Sequence, residues 1–179
     1  MLERARALTD GENPRFVAGG LADLGAQSGP FDLIAILGNT LAYVENPREL
    51  RAVLRHCYHA LAQHGVLVVQ MLNYAKILDQ EDLWLPVVER KTEDTHYLFL
   101  REYRRQKKHV EFSLIALQQG ESWHLQLERS RHFPVIPDLF IRKLLKAGFN
   151  FFNFYADYAG APFDPDQSGS LVAVATKRE

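Results

Sequence analysis

Three apolar runs in this 179-residue chain end in residues suited to holding a ligand. Gly19-Gly20-Leu21 follows "RFVA", Leu37-Gly38-Asn39-Thr40 follows "FDLIAI", and Leu72-Asn73-Tyr74 follows "GVLVVQM". None of these endings carries a charge. Glycine lets a ligand approach the backbone closely, and Asn, Thr and Tyr both donate and accept hydrogen bonds. That is the chemistry of orienting a polar small molecule. A plain turn uses the same residues, but three such endings at one sheet edge favour a binding site.

Other chemistry is less well supported. His56, Cys57, His59 and His64 include metal-ligating types, yet Cys57 falls on an apolar helical stripe while the histidines point elsewhere, so an amphipathic helix is expected. "REYRRQKKH", residues 101–109, is locally basic and reads as a charged hairpin turn, not a nucleic-acid surface. Neither a P-loop nor a dinucleotide "GxGxxG" motif is present.

The elements that must position these residues follow from periodicity. Leu2, Ala5 and Leu8 suggest a short helix stopped by Asp10-Gly11. Arg15–Ala18 is a strand candidate. Phe31–Leu37 is a stronger one, continuously apolar and expected to be buried on both faces. Pro47–Gln63 reads as a helix, with Leu50, Val53, Leu54, Cys57 and Leu61 on one stripe, Asn46 as cap, and Gly65 ending it. Residues 66–72 form the next strand. Strand, helix and strand in that order predict a parallel pair with a right-handed crossover.

From about Thr95 the period changes to two. Runs containing Tyr97–Tyr103, Val110–Ala116 and Trp123–Leu127 predict an antiparallel meander of about three strands. Pro137–Lys146 returns to helix, ending at Gly148, and "FNFFNFYADY" with "SLVAVATK" reads as a closing hairpin. The simplest organisation is one domain over 1–179, with an antiparallel insert at 93–133.

Composition agrees with a globular chain. Hydrophobic residues make up 47% and charged residues 24%, and Lys+Arg 21 against Asp+Glu 22 leaves a net charge of −1. That balance gives no general attraction to nucleic acid or an anionic membrane, and no apolar run is long enough for a spanning helix. A single cysteine excludes an internal disulfide, and a reducing cytoplasm is the default location.

"FDLIAILGNTLAYV", the helix after it, "GVLVVQMLNY", and the late "RKLLKAGFNFF" and "LVAVATK" together resemble class I S-adenosylmethionine-dependent methyltransferases, nearest the small-molecule branch that includes glycine/sarcosine N-methyltransferase-like enzymes. The resemblance implies an α/β Rossmann-like sheet, S-adenosylmethionine as cofactor, and N- or O-methylation of a small-molecule acceptor. It places Gly20 and Leu21 beside the adenine, and Leu37, Gly38, Asn39 and Thr40 beside the ribose and methionine portions. The family usually has an acid where Gly20 stands; Asp23 lies further on and reads as a turn residue.

The cofactor brings the activated methyl group, so the protein's task is to orient and desolvate the reactants. Candidates for contacting the acceptor are Asn73, Tyr74, Arg101, Tyr103 and Tyr155: Arg can hold a carboxylate through two hydrogen bonds, and Tyr faces favour cationic centres.

The family's glycine-rich loop and ribose-gripping acid have no counterpart here, so Met1 reads as internal to a longer parent. On that reading the apolar strand edge is open, cofactor binding by the isolated chain is weak, and self-association through the sheet edge is expected. The alternative from another class is a non-catalytic remnant that binds a partner protein or itself.

Overall fold

The computed structural model describes residues 2–7, 14, 16–26, 29–93 and 95–178. The turn expected at Asp10-Gly11, and Leu8 and Arg15, lie outside the described residues. Helix α1 is Leu2–Ala7.

One four-stranded sheet has strand order β1-β2-β8-β7. Strand β1 (Phe31–Ile36) runs parallel to β2 (Leu61–Leu72), with Ile34 opposite Leu67 and Ile36 opposite Val69. Strand β8 (Ser170–Thr176) is antiparallel to β2, and β7 (Phe151–Tyr155) is antiparallel to β8. The parallel pair and the closing hairpin are as the periodicity implies.

Helix α2 (Pro47–Ala60) makes the crossover between β1 and β2. Asn46 caps it, its side-chain oxygen accepting from Arg48 N at 2.9 Å and Glu49 N at 3.0 Å, and Pro47 occupies the first turn where no N–H is needed. Leu50, Val53, Leu54 and Cys57 bury the apolar stripe. Helix α3 (Pro137–Ala147) packs beside α2 and contributes Phe140 and Leu144 to the same core. Gly148 ends it at φ 114°, and Phe149 N–H bonds back to Leu144 O at 3.1 Å.

The second sheet is a meander of four strands, β3 (Asp82–Lys91), β4 (His96–Arg105), β5 (Val110–Gln119) and β6 (Trp123–His132). It begins at Asp82 and not near residue 93, because β3 is one strand more than the alternation reveals. Pro86 sits where the register slips between Leu85 and Val88, and that irregularity breaks the period-two pattern.

Three further expectations need correction. Residues 16–20 form no strand, since no described strand offers them ladder partners. Strand β1 is not buried on both faces: Leu33 is 58% exposed, because β1 is an edge strand. Helix α2 ends at Ala60, and Leu61–Gly65 continue as extended chain whose register against β1 is irregular, with positive φ at His64.

Candidate functional site

The carboxyl end of β1 passes into a tight turn. Leu37 O accepts from Thr40 N at 3.3 Å and from Thr40 Oγ1 at 2.6 Å, and both central residues, Gly38 and Asn39, have positive φ of 65° and 66°. Glycine, and asparagine among the other residues, adopt that region most readily, which is why this pair stands here. Strand β2 then fixes the turn. Gly38 N donates to Gln70 Oε1 at 2.8 Å, Asn39 N donates to Gln70 O at 3.2 Å, and Leu72 N donates to Asn39 Oδ1 at 3.1 Å.

The Asn39 amide also starts a chain of polar contacts leading into the second sheet. Its Nδ2 donates to the Tyr74 hydroxyl at 2.9 Å, which lies 2.9 Å from His132 Nδ1, while His132 Nε2 lies 3.2 Å from Ser130 Oγ. Since the amide N–H can only donate, the Tyr74 proton points to His132 Nδ1. The network therefore assigns the imidazole proton to Nε2, where it meets Ser130. Burial holds His132 neutral, pushing its pKa down to about 4, and raises the Tyr74 hydroxyl well above its ordinary value. Tyr43 meets the imidazole edge-on at 4.7 Å, and Phe112 stacks on it at 5.4 Å.

Beside this network lies a recess of about 520 Å³, lined by Tyr43, Val44, Glu45, Lys108, His109, Arg131, His132 and Phe133. A surface groove of about 1160 Å³ runs along the outer side of α2 past Arg48, Arg51 and Arg55, and includes none of the strand-end residues.

The predicted residues divide into groups. Leu37, Gly38 and Thr40 are exposed at the turn, with Asn39 half-buried behind them, and a methyl group added at Gly38 would meet no atom within 4 Å. Gly20 donates its N–H to Asp23 Oδ2 at 2.7 Å, so Asp23 does close a turn, and Leu21 packs half-buried against the main core. No hydrogen bond joins Gly20 or Leu21 to residues 37–40.

Asn73 is 1% exposed and faces inward: its Nδ2 donates to Pro165 O at 2.6 Å and Ser168 O at 2.9 Å, holding the 164–169 loop against the end of β2. Tyr74 caps the Asn39 amide and is itself fully buried. Tyr103 is buried as well, 4.8 Å from Phe112 between ring centroids, with its hydroxyl pKa pushed up to about 12 by burial.

Arg101 lies on the same face of β4 as Tyr103; its Nη2 donates to Pro86 O at 3.2 Å, while its Nε is buried with no partner. Tyr155 ends β7 opposite Val172, which lies opposite Gln70. It thus shares a row with Gln70 but stands two strands away, roughly 10 Å across the sheet.

Sequence reasoning missed His132, Gln70 and Tyr43. Gln70 had a signal, being the one polar side chain within the buried run of β2. His132 and Tyr43 had none, because their meeting depends on how the meander docks.

No family model and no curated protein sequence matches the chain. Solved structures do. A S-adenosylmethionine-dependent methyltransferase from Clostridium acetobutylicum superposes with TM-score 0.76 at 14% identity, covering 98% of this chain and 68% of that one. The CcbJ methyltransferase from Streptomyces caelestis gives 0.72 at 21% identity, over 91% of this chain and 63% of that one. The sugar N-methyltransferase KedS8 from Streptoalloteichus gives 0.63 at 20%, over 84% and 57%. The chain thus spans about three-fifths to two-thirds of the length of these structures. Its fold is that of the S-adenosylmethionine-dependent methyltransferases.

Proposed function

We infer that this chain serves S-adenosylmethionine-dependent methyl transfer to a small-molecule acceptor, an amine or a hydroxyl. The observation that carries this reading is the Gly38-Asn39 turn, whose open backbone is held at the end of β1 by Gln70, Leu72 and Tyr74. When bound, the cofactor supplies an electrophilic methyl group for in-line displacement. The chain's own residues then bind and orient. Leu37, Gly38 and Thr40 present an exposed wall with free space over Gly38, and Asn39 is committed to keeping that wall in shape.

The acceptor would occupy the recess that Tyr43 and His132 line together with Lys108, His109 and Arg131. Neutral His132 has its Nδ1 committed to the Tyr74 hydroxyl, so it orders the pocket and does not take a proton from the acceptor. Lys108 and Arg131, which line that recess, are suited to an acceptor's anionic substituent, whereas Arg101, with an unpartnered Nε, lies outside its lining. Asn73 and Tyr155 are better explained by holding the loop at 164–169 and by ending β7.

The test is amide NMR of the protein titrated with millimolar S-adenosylmethionine, which detects even weak binding. Saturable shifts at Gly38, Asn39 and Thr40, lost in Asn39→Ala, are expected. Shifts elsewhere only, or none, would refute the assignment of the wall. Transfer of labelled methyl to a panel of amino and hydroxy compounds then reads the activity.

A further inference from the structure

The two edges of the meander differ in kind. At β3, Pro86, a slip in register, and Glu89, Arg90 and Lys91 blunt the edge against further pairing. At the opposite edge, β6 has ten residues in unbroken register with β5, contains no Pro, Gly or Lys, and has no strand beyond it among the described residues. Every residue from Trp123 to Arg129 is exposed, including Trp123 at 47%, Leu125 at 64% and Leu127 at 46%. These three side chains lie on one face, and the register carries that face on through Ile115 and Leu117 of β5.

We propose that β6 is a self-association strand, pairing antiparallel with β6 of a second copy about a two-fold axis through Gln126. A two-fold perpendicular to the sheet keeps each face on its own side, so it must relate residues of like parity and pass through a residue pair. Centred on Gln126, the sequence "ESWHLQLERSR" from Glu121 to Arg131 becomes complementary to itself. Glu121 faces Arg131 and His124 faces Glu128, both of opposite sign or hydrogen-bonding. Trp123 faces Arg129, a cation over an aromatic face. Leu125 faces Leu127, Gln126 faces Gln126, and Ser122 faces Ser130. Each heterologous pair occurs twice by symmetry.

Neighbouring centres fail. An axis through Leu125 leaves Glu128 against Ser122, and one through Leu127 sets Arg129 against Leu125. Pairing of this kind satisfies the outward backbone groups of β6, sets its exposed leucines beside one another across the seam, and joins the two four-stranded meanders into one eight-stranded sheet. This inference is independent of the methyl-transfer reading, and it selects the β6 edge over the edge of β1, whose six residues include an irregular register.

The experiment is sedimentation of the full chain with register-specific variants. The wild type is expected to sediment as a dimer, and Gln126→Cys to form a disulfide-linked dimer under mild oxidation, since only directly opposed residues come within bonding range. Leu125→Cys, displaced from its own copy by two residues, is expected to stay unlinked. Cys57, the only native cysteine, is buried and does not compete. Glu128→Arg is expected to raise the dissociation constant by about tenfold, counting two lost cross-strand pairs, and adding His124→Glu to restore it. A role within one copy predicts no such rescue, because positions 124 and 128 are too far apart along one strand to touch. A monomeric wild type overturns the proposal. So does a dimer that Leu33→Lys dissolves while Gln126→Cys leaves unlinked, or a Glu128→Arg defect that the second change does not repair.

Discussion

The buried His132 gives the fold a pH dependence whose sign and size follow from its surroundings. Tyr74, Tyr103, Tyr43 and Phe112 enclose the ring, and Glu45, Lys108, His109 and Arg131 are the charged or titratable groups lining the adjoining recess. Burial lowers the folded-state pKa to about 4, against an unfolded value near 6.5. The unfolded chain therefore binds the extra proton first. The stabilisation is complete above roughly pH 6.5 and is lost as pH falls toward 4. Linkage with those two values gives a loss of about 2 kcal/mol at pH 5 and about 3 kcal/mol at pH 4, relative to pH 8.

The assay is urea denaturation from pH 8 to 4.5 on the wild type and on His132→Asn, whose side-chain oxygen can still accept from Tyr74. Other groups titrate alike in both proteins, so the difference between the two curves isolates His132. Stability of the wild type relative to the variant should fall by about 2 kcal/mol between pH 8 and pH 5. Parallel curves would refute the reasoning, because they would mean that the imidazole is free to take a proton in the folded state.

Three further outcomes are expected. Asn73→Ala leaves Pro165 O and Ser168 O without their donor; it should cost about 2 kcal/mol by denaturation and speed hydrogen exchange first within residues 164–169. Gly148→Ala forces a side chain onto φ 114° with its Cβ 2.9 Å from the Tyr58 ring, and should lower stability by about 2 kcal/mol or more, read as a falling Tm. Gly38→Ala meets no atom within 4 Å, so its cost is the left-handed backbone alone, about 1–2 kcal/mol; because the new methyl stands over the inferred cofactor wall, NMR should show cofactor shifts abolished in a protein that is still folded.

What the sequence revealed tracks how local each cause is. Asn46-Pro47 and Gly148 announce the ends of helices because capping involves only neighbouring backbone groups. The Gly38-Asn39 turn is equally legible, since its two residue types answer a backbone requirement at the same positions. Strand β3 was hidden because Pro86 and the slipped register disrupt the alternation that reveals a strand. The apolar run of β1 correctly marked a strand but misreported its burial, since burial depends on what lies alongside. His132 was invisible for the strongest version of that reason. Its partners Asn39 and Tyr74 are 93 and 58 residues away in the chain, and only docking of the meander brings them together.

The meander is attached to the rest of the fold at its root, where Phe133 N–H bonds to Ala42 O at 2.8 Å and His132 meets Tyr74. In mechanical terms it is a lever with its pivot beside the Gly38-Asn39 turn. A ten-residue strand is roughly 33 Å long, so a tip pushed aside by about 3 Å tilts the strand by about 5° and shifts an atom 3 Å from the pivot by only about 0.3 Å. Large excursions of the far end thus reach Asn39 reduced about tenfold. The turn can keep its geometry while the sheet beyond it bends to accommodate whatever it meets.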